Sequence, residues 1–183
     1  MNPLTGWLWQ DPLAAACGLF GLACLTGWPL LRTRGEMLSA QTGAGLGFGV
    51  HHALLGEGTG AIVSLLVALL TVAALALAYR PQLRPLYLSI TAGVVGGNLL
   101  AWQGASLAPA LLALGLLVSA HLQADPARLR LLGLLAAACG SVLAFIEGSL
   151  PQFTGNVLAI GLGLAHSGSG RHEPPMGGPH PAV

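Results

Sequence analysis

Seven long apolar runs, parted by short polar breaks, take up nearly the whole chain: residues 13–31, 37–56, 60–78, 86–104, 107–123, 129–148 and 152–166. About 20 apolar residues in a helix span the ~30 Å hydrocarbon layer of a bilayer. The first six runs meet that length. The seventh is short, so its helix is expected to extend at one or both ends. The expected fold is all-α, a polytopic membrane bundle of seven transmembrane helices. Composition points the same way: 54% of residues are hydrophobic and only 7% charged, against about 25% charged in a soluble domain. So few charges cannot cover a water-soluble globule of this size. The 27 glycines fit helices that approach closely in lipid.

The arginines set an orientation. The chain has no lysine, and its seven basic residues are Arg32 and Arg34 in the first break, Arg80 and Arg84 in the third, Arg128 and Arg130 in the fifth, and Arg171 in the tail. The second, fourth and sixth breaks have none. With seven spans the arginine-bearing breaks share one side, and arginine marks the cytoplasm. The N-terminus is then outside and the C-terminus inside. No Lys or Arg precedes the first run, which argues for a retained helix over a cleaved signal peptide. Trp7, Trp9 and Trp28 flank that run, where interfacial aromatics belong. Residues 1–166 make the transmembrane domain, and 167–183, rich in Gly, Pro and His, read as a disordered cytoplasmic tail.

Runs two to three resemble runs six to seven. GVHHALLGEGTGAIVSLLVALL aligns with SVLAFIEGSLPQFTGNVLAIGL, pairing Val50 with Val142, Leu54 with Ile146, Gly56 with Gly148 and Ser64 with Asn156. That parsing makes two parallel three-helix repeats joined by a linker helix, a 3+1+3 layout; parallel repeats about the membrane normal are known among transporters. A rival parsing into three hairpins takes LLAWQG, ending at Gly104, as a third motif end.

The stretch from Arg32 to Leu70, with R-x-R, Gln41, Gly49-Val50-His51 and Leu54-Leu55-Gly56, together with Glu147-Gly148-Ser149 through Asn156, resembles the bacterial inner-membrane proteins of the YgjV type. In layout the chain is distantly similar to the SWEET and PQ-loop superfamily. The resemblance implies an inner-membrane location, a 3+1+3 bundle, an external N-terminus and, in the second triplet, an asparagine facing substrate. The chain departs from that superfamily in its Pro-Gln pairs: Pro81-Gln82 lies in a loop and Pro151-Gln152 starts the seventh run.

Polar side chains inside a membrane are costly and often mark pathways. The candidates are Gln41, His51, His52, Ser64, Asn98, Ser119, His121, Glu147 and Asn156. Asn156 leads, as an amide within the seventh helix aligned with Ser64; the alternative is a hydrogen bond that ties neighbouring helices, worth under about 2 kcal/mol. Asn156, Ser64, His51, Asn98 and Gln41 are the expected substrate-binding set. His51 and His52 are adjacent and point about 100° apart on a helix, so they are not expected to face one cavity centre or share a metal. Glu57 and Glu147 read as solvated carboxylates at hairpin ends. Cys17, Cys24 and Cys139 match no zinc or redox spacing and read as small buried hydrophobes. Gly43, Gly45, Gly47 and Gly49 read as a packing face.

No serine or cysteine nucleophile has a matched base, and no glycine loop fits a phosphate. Neither an enzyme nor a metal or other cofactor is expected. With a net charge of +1, nucleic acid is not an expected partner; the lipid bilayer, a small polar solute and further copies of the chain are. Two functions fit: a small-solute transporter with a midplane cavity between the triplets, or a non-transporting receptor or assembly protein that holds a partner with the same bundle.

Overall fold

The computed structural model of the protein describes residues 11–101, 106–146 and 149–169, with the side chains of 59, 98, 100, 101, 150, 168 and 169 outside the description. Among the described residues the chain is all-helical: α1 Pro12–Gly27, α2 Arg34–Leu54, α3 Gly58–Tyr79, α4 Arg84–Ala101, α5 Leu107–His121, α6 Pro126–Ile146 and α7 Leu150–Ser169. Single 3-10 turns, Trp28–Leu30 and Pro81–Leu83, follow α1 and α3. Each apolar run became one helix. The seventh extends at both ends, and its last residues reach past 166 into the segment read as tail; residues 170–183 lie outside the described residues.

The ends are set by local chemistry. Asp11 caps α1, its carboxylate accepting from the N–H groups of Leu13 and Ala14, with Pro12 just inside the helix, where it lacks a donor the helix would not use. Thr33 and Glu36 form a reciprocal capping box at the start of α2. Gly56 leaves α2 with φ +77°, a left-handed conformation that glycine adopts without a Cβ clash.

Among the described residues three helical stretches are long and apolar enough to cross a membrane: Pro12–Leu30, Gly60–Tyr79 and Pro126–Ile146. This is fewer than the six runs read from sequence. Helix α5 is apolar but has only 15 residues, and α2, though 21 residues long, dilutes its apolar character with Gln41, His51, His52 and a row of glycines. The distribution of polarity supports a membrane protein. Leu13, Phe20, Ile62, Leu112, Leu131, Phe145 and Leu164 are each more than half exposed, while Gln41, Thr71, His121, Ser141 and Asn156 are buried. Water-soluble monomers rarely show contiguous apolar surfaces of this kind.

Helices adjacent in sequence pack side by side, and α7 also packs on α1. Helix α2 packs most extensively on α1 and α3, and α6 on α5 and α7. The glycine row of α2 works as a two-sided face. A Cβ on Gly47 would lie 2.7 Å from the Gly21 nitrogen and one on Gly43 2.9 Å from Cys24 Sγ, both on α1; Cβ atoms on Gly45 and Gly49 would meet Ala68 and Leu65 of α3.

The arginine-bearing connections gather at one end of the bundle. Arg34 at the start of α2 donates to the His121 carbonyl that ends α5, at 2.7 Å. Arg130 near the start of α6 donates to the Leu31 carbonyl just past α1, also at 2.7 Å. Arg34 and Arg84 line a small pocket with Leu77, Pro81 and Leu122, which brings the α3–α4 connection to the same end. His51, in the last turn of α2, bonds the Ala14 carbonyl at the start of α1 and so marks the opposite end. The hydrophobic core fills the arginine half: Trp28, Met37, Leu38, Leu70, Ala74, Tyr87 and Leu129.

Candidate binding cavity

The other half of the bundle is hollow. A cavity of about 560 Å³ runs between α2 and α3 on one side and α5, α6 and α7 on the other. Its wall is mainly apolar and small: Phe48, Val63, Val67, Leu114, Leu117 and alanines and glycines of α5 and α6. Its rim carries the exposed Glu57, Pro151 and Gln152. Its floor is Gln41, Thr71 and Trp28, all buried. From His52 to Gln41 along α2 is a descent of about 16 Å at the helical rise, so the cavity is a half-channel, open at one end and stopped inside the protein.

Four of the five expected binding residues, Asn156, Ser64, His51 and Gln41, line it. Asn98 falls on α4, no described side chain of which reaches the wall, and its own side chain lies outside the description. Asn156 and Ser64 each stand six residues inside the open end of their helices, α7 and α3, and so at one depth, about 9 Å down. Asn156 is only 6% exposed, yet its amide has no hydrogen-bond partner among the described residues. A Cβ on Gly140 of α6 would meet its Nδ2 at 3.0 Å, so the amide fits beside a residue with no side chain. Ser64 is set apart from most of the helical serines, sharing its lack of a backbone bond with the exposed Ser39. Ser89, Ser119, Ser141 and Ser167 each donate to the carbonyl four residues earlier; the Ser64 hydroxyl has no such bond among the described residues.

Below the cavity lies a polar network that sequence reasoning did not assemble. Tyr87 of α4, His121 of α5 and Gln41 of α2 are buried in line: Tyr87 Oη to His121 Nδ1 at 3.3 Å, and His121 Nε2 to Gln41 Oε1 at 3.1 Å. An amide oxygen only accepts, so His121 donates from Nε2 and its Nδ1 accepts the hydrogen bond that the Tyr87 hydroxyl donates. Arg34 holds the backbone of the same histidine. Buried polar groups are paired where their loss would be expensive, and this chain ties three helices beneath the floor.

Other readings change in the folded chain. His51 and His52 both reach the wall near the rim, His51 bonded to the Ala14 carbonyl at 2.8 Å and His52 to Glu57 at 2.6 Å. Adjacent residues can do this because they flank the centre line of one stripe of α2, as Ala44 and Gly45 do two turns earlier. Glu57 is exposed but ion-paired. Trp28 is 2% exposed and not interfacial; Gly133 leaves the slot it fills, since a Cβ there would sit 2.6 Å from the indole. The cysteines are partly exposed and free. Among the described residues no group of His, Cys, Asp and Glu could hold a metal. Glu147, Gly148, Trp7 and Trp9 lie outside the described residues. No protein-family model, no curated protein and no solved structure matches the chain.

Proposed function

We propose that the protein is a seven-span inner-membrane carrier of small solutes, with the cavity as its binding site. The observation that carries this reading is the pair of unpartnered polar side chains, Asn156 and Ser64, at one depth in a half-channel. Among the described residues the buried side-chain polar atoms left without a partner are Arg34 Nε and Arg130 Nε; the Asn156 amide is not sealed in this way, so its hydrogen-bonding groups stay available to a molecule in the cavity. A parallel 3+1+3 repeat fits the reciprocal arginine bonds: α2 reaches the end of α5, and α6 reaches the end of α1. The resemblance to the YgjV type and the SWEET-like layout agrees with it. The arginine end faces the cytoplasm by the positive-inside rule, so the cavity opens outward.

Two measurements test this. A reporter active only in the cytoplasm, fused after Val183, should give signal, and one active only outside should do so when inserted after Gly104. A periplasmic C-terminus would overturn the seven-span count. For transport, Ser64→Cys in a chain lacking Cys17, Cys24 and Cys139 should react with an impermeant thiol reagent from the open side and, in a second state, from the arginine side. Reaction from the open side alone would favour the receptor reading.

A further inference from the structure

Resting on the carrier reading, we infer that the cavity takes a neutral amphiphile: an uncharged molecule with an apolar body and one compact group that both donates and accepts hydrogen bonds. The wall determines this through the separation of its polar groups. Among the described residues its ionisable side chains are His51, His52 and Glu57, all in or beside the last turn of α2 and so at the rim. Each already has a partner: His52 and Glu57 one another, His51 the Ala14 carbonyl. No charged side chain among the described residues stands deeper on the wall, so an ion moved past the rim would lose its hydration with nothing to replace it, a cost of several kcal/mol or more.

The free hydrogen-bonding capacity is equally specific. Asn156 offers an amide, two donors and an acceptor, and Ser64 a hydroxyl at the same depth. On the floor, Gln41 commits its oxygen to His121 and keeps only amide donors, and Thr71 bonds to the Val67 and Ala68 carbonyls. The further free polar side chains of the wall, Ser149 and Gln152, stand at the start of α7 by the rim. Between them stand Phe48, Val63, Val67, Leu114 and Leu117, which offer a polyol no partners for most of its hydroxyls. A molecule that places one amide- or alcohol-like group at Asn156 and Ser64 and its hydrocarbon against these side chains satisfies both.

The test uses the full chain in lipid nanodiscs, with Trp7, Trp9 and Trp102 replaced by Phe so that Trp28 on the cavity floor reports binding by its fluorescence. The probes are 3-phenylpropanamide, 3-phenylpropanoate, 3-phenylpropylamine and sorbitol, with partition into empty nanodiscs subtracted. The expected result is saturable binding of the amide, tighter than any of the other three. Asn156→Ala should weaken it roughly tenfold, the equivalent of one good hydrogen bond. Gly140→Ala, whose methyl displaces the Asn156 amide, should weaken it too, and serves if Asn156→Ala does not fold. Asn156→Asp should move the preference to 3-phenylpropylamine. Tightest binding of either ion or of sorbitol, or an amide affinity untouched by these changes, would overturn the neutral-amphiphile inference and leave the solute reading standing. No saturable binding of any probe to a protein whose Ser64→Cys form is readily labelled would overturn both.

Discussion

His121→Leu should lower the stability of the bundle by about 2–5 kcal/mol, read as a fall in the unfolding midpoint in detergent. The side chain is wholly buried and bonded on both ring nitrogens. Leucine fills much of its volume, so packing is not the main loss. What remains is a Tyr87 hydroxyl and a Gln41 amide oxygen that keep their polarity with no partner, at about 1–3 kcal/mol each. The same reasoning predicts a rescue. Gln41→Leu, Tyr87→Phe and His121→Leu together remove every orphaned group and should recover most of the loss, as apolar replacement of a whole buried network often does. A triple variant as unstable as the single one would show that the network is not what the histidine contributes. The rescue would also separate stability from function, since Gln41 lies on the cavity floor and its amide would be gone.

Gly47→Val is expected to be at least as damaging, by about 3 kcal/mol or more. A Cβ at this position would stand 2.7 Å from the Gly21 nitrogen, 2.8 Å from its Cα and 2.9 Å from the Cys17 carbonyl oxygen. These are backbone atoms, and no rotamer change moves them aside. Helix α1 would have to lift off α2, and overpacking that displaces backbone costs about 1–3 kcal/mol, sometimes more. The control is Gly115→Ala on α5, where an added Cβ meets nothing within 4 Å; alanine there should be neutral or gain up to about 1 kcal/mol from helix propensity. Equal effects at the two sites would mean that the α1–α2 crossing does not depend on the glycine contact.

The sequence by itself determined the helices and their order. Each apolar run became one helix because, in a chain this apolar, a polar break with Gly, Pro or a capping residue is the strongest local signal. Thr33 and Glu36 closed a capping box, and Gly56 ended α2. The alternation of arginine-bearing connections was legible for the same reason, since helices joined by short breaks must turn back. The pairing of Asn156 with Ser64 was visible too, in the alignment of the second and third runs with the sixth and seventh. Tertiary structure alone decided which way each helix faces. Helices apolar on every side carry no stripe to orient them, so rotation is set by partners far along the chain. Gly133 of α6 makes the slot that buries Trp28, which flanking position alone had placed at the interface. Gln41, Tyr87 and His121 lie on three helices and meet only because α2, α4 and α5 converge at the arginine end. The hollow half is likewise a tertiary fact: the small side chains of α5 and α6 leave space above that network which no local pattern records.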